Sequence, residues 1–376
     1  MLADYFKVIS NKTNFLSVRE TFKELEIKFQ LTEYSWDLIS GLLNHLRELP
    51  ERDNFEFTVD INGSCKEITS TDSIDIELIK NFFENEIEDD TELVLELLVT
   101  KTINNQYSSI YFLNELEVYV KATNINNLLI SFGRFFNDMH NFEVFEEITS
   151  FGSKTISFDT YGRLSGVAGI ARREDRLSSI KENACRLFDD CRFLIDDFTL
   201  LKRNENYPEV MSFFDCTATS LALSTFSNTL SLGDDNKICF KINGYKTIDV
   251  QNIELKKLSY DITLLYKISS WIFESGQCND KLGLIRNILS LHIDKDGLIE
   301  INNHTWLAIK SNYEIYLKDN IQQYIEIKNK LTDYIFSYNT KIYELSDQFQ
   351  NSFRANLIAI IGFIISVVIV NGIKDN

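Results

Sequence analysis

The chain holds four histidines, two prolines and no pair of cysteines spaced C-x-x-C. His45, His140, His292 and His304 stand far apart, and neither H-E-x-x-H nor a Cys/His cluster occurs, so no zinc pattern is present. Cys65, Cys185, Cys191, Cys216, Cys239 and Cys278 read as reduced thiols of a cytoplasmic protein. The scarcity of proline beside an Asn, Ile and Lys-rich vocabulary is a bias of an AT-rich coding genome and not a function. Positive charge is also short, with 38 Lys and Arg against 56 Asp and Glu and a net charge of −18. Grip on a phosphate backbone comes from cations, so nucleic acid is not expected as the main partner. Contact with an anionic lipid surface has to come from hydrophobicity rather than from a polybasic patch. No repeat, low-complexity tract or N-terminal secretory h-region is seen, since MLADYFKVISNKTNF is polar and mixed in charge.

What is present is core-forming material. Hydrophobic residues make up 44% and charged ones 25%, with 28 Phe and 16 Tyr, which argues for a folded chain with room for two domains. The expected fold class is α+β. Residues 1–160 read as a mixed helix and antiparallel-sheet domain, 161–305 as a mainly helical domain with one β-hairpin, 306–354 as a coiled-coil-like stalk and 355–373 as a transmembrane anchor. The first fifty residues read helical, and WDLISGLLNHLRELP sets Trp36, Ile39, Leu43, Leu46 and Leu49 on one face up to Pro50. FEFTVDING then alternates through Phe55, Phe57, Val59 and Ile61 into an Asn62-Gly63 hairpin turn. An acidic linker at 84–92 precedes strand candidates at 92–99, 108–113, 116–120 and 154–158. Helical patterns from about residue 172, at 173–188 and 191–203, follow, then a second Asn-Gly hairpin at 238–250 and two further helices.

The stretch KTISFDTYGRLSGVAGIARRED, residues 154–175, is the most suggestive internal one. A strand leads into Gly162, Gly166 and Gly169, and a helix follows carrying Arg172, Arg173 and Arg176. Glycines allow close backbone approach, helix N-termini attract anions and arginines fork onto phosphates. A phosphate-containing ligand suits such a loop, and an interdomain hinge explains the same residues. Neither the G-K-[ST] ending of a P-loop nor G-x-G-x-x-G is present, and no cofactor is expected. HIDKDGLIE resembles a calcium loop through Asp294, Asp296 and Gly297, yet His292 stands where the first acidic ligand belongs, so it reads as a tight turn. ELEVYVK, with Glu115, Glu117 and Lys121, is the nearest approach to a carboxylate nuclease site and reads more simply as the solvated face of an edge strand. With no G-x-S-x-G elbow either, catalysis is not expected.

The C-terminal end carries the strongest signal. Leu357 to Val370 holds no charge, and eleven of its fourteen residues are Leu, Ile, Val or Phe. Counted from Ala355 to Ile373, a helix is roughly 28 Å long against a hydrocarbon core of roughly 30 Å. Insertion is favoured by roughly 3–7 kcal/mol before the costs of Ser366 and Asn371. A buried strand of this length is too long and a soluble core helix would carry a polar face. The expectation is a single-pass membrane protein anchored by its tail, with its N-terminal body cytoplasmic. Ala355, Ala359, Gly362 and Ser366 share one face, where small side chains let helices approach closely in lipid.

Upstream of the anchor, alternating steps of four and three link Leu317, Ile321, Tyr324, Lys328, Leu331, Ile335, Tyr338, Ile342, Leu345 and Phe349. This heptad seam predicts a homo-oligomeric stalk, while an amphipathic helix packed on its own body explains the stripe equally simply. Seam plus anchor resembles membrane-fusion proteins of the SNARE type over the last sixty residues, but no Gln or Arg layer interrupts the seam and that function is not carried over. The expected function is a membrane-held binding and signalling protein whose body senses a protein partner or small ligand. In a bacterium this suits a membrane effector of stress or phage defence. An adaptor that only docks a protein, or a membrane-localised enzyme acting on nucleotides or nucleic acid, are the alternatives.

Overall fold

The computed structural model describes residues 2–374 apart from 33–34, 71–75, 87–92, 105, 164–165, 189–190, 259–260, 275–276 and 294–300. The calcium-like turn and most of the acidic linker therefore lie outside the described residues. Two compact units are present, Met1–Ile309 and Lys310–Asn376, and the fold class is α+β.

The body begins with α1 (Leu2–Ile9), but the helical reading of the first fifty residues fails at β1 (Thr13–Glu20) and β2 (Glu24–Leu31). In β2 the acids and lysine at 24, 26 and 28 alternate with Leu25, Ile27 and Phe29, which are buried; this two-residue period is a strand signature. After α2 (Trp36–Arg47) come β3 (Asn54–Ile61), β4 (Ser64–Thr69), α3 (Ile76–Glu86) and β5 (Leu93–Thr100). These strands form an antiparallel sheet in the order β1-β2-β5-β3-β4. Its inward residues, among them Phe57, Val59, Leu95 and Leu97, pack with Phe6, Leu43 and Phe83 of the three helices.

The second sheet breaks the antiparallel expectation. β6 (Tyr107–Ile110) is followed by α4 (Leu113–Ala122) and α5 (Ile125–Gly133), then β7 (His140–Val144), β8 (Phe151–Gly152) and β9 (Ile156–Thr160). β6, β7 and β9 run parallel, with β8 antiparallel at the edge. The strand expected at 108–113 stops at Ile110, and the one expected at 116–120 is helix α4. The reason is spacing: Leu113, Leu116 and Val120 are buried on one helical face while Val118 is exposed, a separation that a strand does not allow. Glu117 accepts a hydrogen bond from the Glu209 N–H at 2.8 Å and Lys121 lies 3.5 Å from the Glu209 carboxylate, so these charges fasten a helix.

α6 (Arg173–Asn183) fulfils part of the helical pattern expected from 172. The helix expected at 191–203 shrinks to a single turn, α7 (Ile195–Phe198). α8 (Pro208–Phe226) is the central helix, buried along most of its length. β10 (Thr229–Leu232), β11 (Lys237–Asn243) and β12 (Thr247–Glu254) form a third, antiparallel sheet, one strand more than the hairpin expected. α9 (Ile262–Glu274), α10 (Cys278–His292) and α11 (Asn303–Lys374) complete the chain.

The apolar interior of the body falls into two clusters, one gathering residues 2–99 with Tyr111 and Phe145, the other reaching from Phe22 and Ile110 to Ile309. Among the described residues the boundary between the two clusters falls near residues 100–110. Buried polar links cross this junction. Glu20 is ion-paired to Lys101 and its carboxylate accepts from the N–H of Tyr111 and Phe112 at 3.1 and 3.0 Å. The Tyr111 hydroxyl donates to Asp53 at 2.6 Å. A charge pair buried this deeply holds only when its remaining oxygens and protons are also bonded, as here.

α11 starts inside the body, where Trp306 meets Trp271 edge-on at 5.8 Å and Ile309 is buried. The helix between Asn303 and Val370 contains an 18-residue window of mean hydropathy 2.4, none of it buried, long and apolar enough to cross a membrane. Every seam residue from Leu317 to Phe349 is exposed, as are Ala355, Ala359, Gly362 and Ser366. The Ser366 hydroxyl donates to the Gly362 carbonyl at 2.8 Å, which satisfies it within the helix.

Candidate functional site

The glycine and arginine segment does leave β9 and enter α6. Gly162 and Gly166 have φ of +78° and +74°, the left-handed region that glycine reaches without cost. Gly169 needs no such freedom, and a Cβ there meets only Met139 Sδ at 3.9 Å. The Ala168 N–H donates to the Lys154 carbonyl at 2.9 Å, and Ile170 is buried, which pins the far side of the loop.

The three arginines separate in role. Arg172 is exposed and itself left-handed, with φ of +55°, immediately before α6. Arg173 is buried and forks onto Asp197 at 2.8 and 2.7 Å, donates to the Arg192 carbonyl at 2.8 Å and lies 3.3 Å from Asp138 through Nε. Its guanidinium also covers the Phe136 ring at 5.2 Å. Arg176, one helical turn on, forks onto Asp196 at 3.2 and 2.6 Å and lies 5.8 Å over Phe273. Asp197 further accepts from the Thr155 hydroxyl at 2.8 Å and the Leu194 N–H at 2.7 Å, and the Tyr266 hydroxyl reaches Asp196 at 3.2 Å. Burial pushes the Asp197 carboxyl up, opposed by the Arg173 fork and those two further donors. Arg173 and Arg176 thus tie α6 to α7 through forks onto carboxylates of the same chain, while the buried Arg176 Nε is left without a hydrogen-bond partner.

The sequence reading missed Asp196 and Asp197. The signal was available: in FLIDDF two acids stand inside an apolar run, and buried carboxylates demand cations nearby. Arg173 and Arg176, spaced for one helical face, supply them.

Two depressions flank α6. One, of about 380 Å³, is lined by Lys154, Arg172 and Arg176 together with Asp175, Asp196 and Glu274, a balance of charges. The other, of about 300 Å³, lies between α6, the 186–195 segment, α8 and α9. Among the described residues its charged lining is Arg176, Lys181, Arg186 and Arg192 with Glu174. Cys191 also lines it, and burial pushes that thiol up to about 11, so it stays protonated. Among the described residues no group of three or more His, Cys, Asp or Glu is placed to hold a metal ion. His140, the histidine at the centre of the body, is a core residue. Its Nε2 pairs with the Ser108 hydroxyl at 2.7 Å, the Phe142 and Phe135 rings lie 4.6 and 4.9 Å away, and burial lowers its pKa to about 3. Compared with known protein families, with curated proteins and with solved structures, the chain finds no match.

Proposed function

We propose that this chain is a membrane-held binding protein. The 355–373 stretch of α11 spans a bilayer once, the body stands on the cytoplasmic side and receives a small ligand or a protein partner, and the 317–349 seam pairs copies of the chain. The observation that carries the reading is α11 itself, whose apolar window is entirely unburied in the single chain. Leaving so many Ile, Val and Phe side chains in water is unfavourable by roughly 1.5–3 kcal/mol apiece, and a hydrocarbon surrounding removes that cost. The lone cation Arg354 at the entrance favours the cytoplasmic placement of the body.

The test is alkaline carbonate extraction of membranes carrying the full chain or a chain ending at Arg354. The expected outcome is a full chain that stays with the lipid and a truncated chain that comes free. If the full chain is released by carbonate, the run is an interface element and the membrane reading falls.

A further inference from the structure

Among the described residues, the depression of about 380 Å³ between α6 and α9 is lined by three cations and three acids, so it is electrically balanced in a chain of net charge −18. One pair is closed within the fold, since Arg176 forks onto Asp196 at 3.2 and 2.6 Å. The side chains of the other four, Lys154 and Arg172 against Asp175 and Glu274, make no hydrogen bond or ion pair. Glu274 senses Lys281 from outside the depression, beyond ion-pair distance. Ser275 and Gly276, which follow Glu274 outside the described residues, are uncharged. Opposite charges lining one concavity pair when their side chains can meet, as Arg176 and Asp196 do. Two of each sign left apart face one another across a gap.

The ends of two helices sort these charges. Arg172 immediately precedes α6, whose N-terminus carries no side-chain cap, and Glu274 is the last residue of α9. A helix N-terminus favours an anion and a C-terminus a cation. Arg172 and Lys154 therefore make an anion-attracting side, and Glu274 at the end of α9 makes a cation-attracting one, to which Asp175 adds a second acid. Phe273 supplies apolar wall. Arg172 holds its position at a φ of +55°, a backbone strain of the kind that persists where a side chain has a role. Inorganic phosphate would be repelled by Asp175 and Glu274, and a metal ion or a diamine by Lys154 and Arg172. A ligand with one charge of each sign satisfies both sides.

We infer that this depression binds a free amino acid as its zwitterion, the carboxylate at Arg172 and Lys154, the ammonium at Glu274 and Asp175, and the side chain along Phe273. Charge-assisted hydrogen bonds of this kind are about twice as strong as neutral ones, and an arginine fork matches a carboxylate. The inference rests on the reading of the body as a ligand-receiving domain and specifies its ligand.

The experiment is calorimetric titration of the full chain in detergent with each standard amino acid, and with inorganic phosphate and putrescine as rivals. At least one amino acid is expected to saturate one site per chain. Its N-acetyl form, which lacks the ammonium, and its amide, which lacks the carboxylate, are each expected to bind about tenfold more weakly or worse. Arg172→Gly, which also relieves the backbone, and Glu274→Gln, an exposed change, are each expected to weaken binding about tenfold or more. Lys181→Gln, on α6 but outside the depression, is expected to leave it unchanged. Saturation by no amino acid, binding that survives both changes, or N-acetyl and amide forms that bind as well as the parent overturns the inference. Phosphate or putrescine binding in place of amino acids overturns it too, while keeping the body as a ligand-receiving domain. A chain that resists carbonate but binds no amino acid loses only this site, and one that binds but is extracted keeps the site and loses the anchor.

Discussion

Adjacent arginines in one motif can carry unrelated burdens, and Arg172 and Arg173 do. Arg173 lies 6% exposed, with its fork on a carboxylate that has no access to water. Removing the cation strands Asp197, and breaking a buried pair from one side costs about 3–5 kcal/mol. Arg173→Ala is therefore expected to lower the thermal midpoint of the full chain in detergent by several degrees. Arg172 sits in a left-handed backbone conformation that disfavours a Cβ by about 1–2 kcal/mol. Arg172→Gly should leave the midpoint unchanged or raise it slightly. Equal losses from the two changes would mean that the clamp of α6 onto α7 does not hold this region together.

At the scale of elements, legibility followed how local the cause was. The Asn62-Gly63 turn was readable because its cause is local: both residues have positive φ, +52° and +88°, as a two-residue hairpin turn with mirrored twist requires. The same dipeptide at Asn243-Gly244 also marks a hairpin, between β11 and β12, but of another turn type. Asn243 pairs with Thr247 across a three-residue loop, and Gly244 is small for a distant reason, since a Cβ there would lie 2.2 Å from the Arg286 carbonyl oxygen of α10. Likewise α4 was hidden because LEVYV satisfies both periods in a short window, and only packing against the rest of the body chooses between them. The candidate site failed for the same reason: the loop was visible, but the partners of its arginines stand twenty or more residues away. The choice at α4 can be tested directly. In a strand, Leu116 and Val118 share a face; in α4, Leu116 is fully buried and Val118 is 59% exposed. Leu116→Asp is expected to destabilise the chain by more than about 3 kcal/mol and Val118→Asp by less than about 0.5 kcal/mol, measured by urea unfolding.

For the whole molecule, the unsettled quantity is how many copies act together, and α11 bears on it. Nine large apolar side chains from Leu317 to Phe349 lie exposed at heptad spacing, and no lipid is expected along this stretch, which also carries Lys318, Asp319, Asp333 and Asp347. A second copy of the same helix offers a matching stripe, and knobs-into-holes packing of such stripes buries them on both chains. Lys328 at a seam position weakens that packing while narrowing the allowed registers, so association is expected to be moderate and specific. Ile335→Asp with Leu345→Asp places two charges in the seam without touching the body's core. Phe336→Asp places one on an equally exposed residue one position off the seam. Sedimentation of the full chain in detergent, backed by cross-linking, is expected to show oligomers for the native chain and for Phe336→Asp, and monomers for the double change. Oligomers that persist through the double change would locate association elsewhere, either in the small-residue face at Ala355, Ala359, Gly362 and Ser366 or in the body. A native chain that is monomeric at all concentrations would leave the exposed stripe to a partner of another kind.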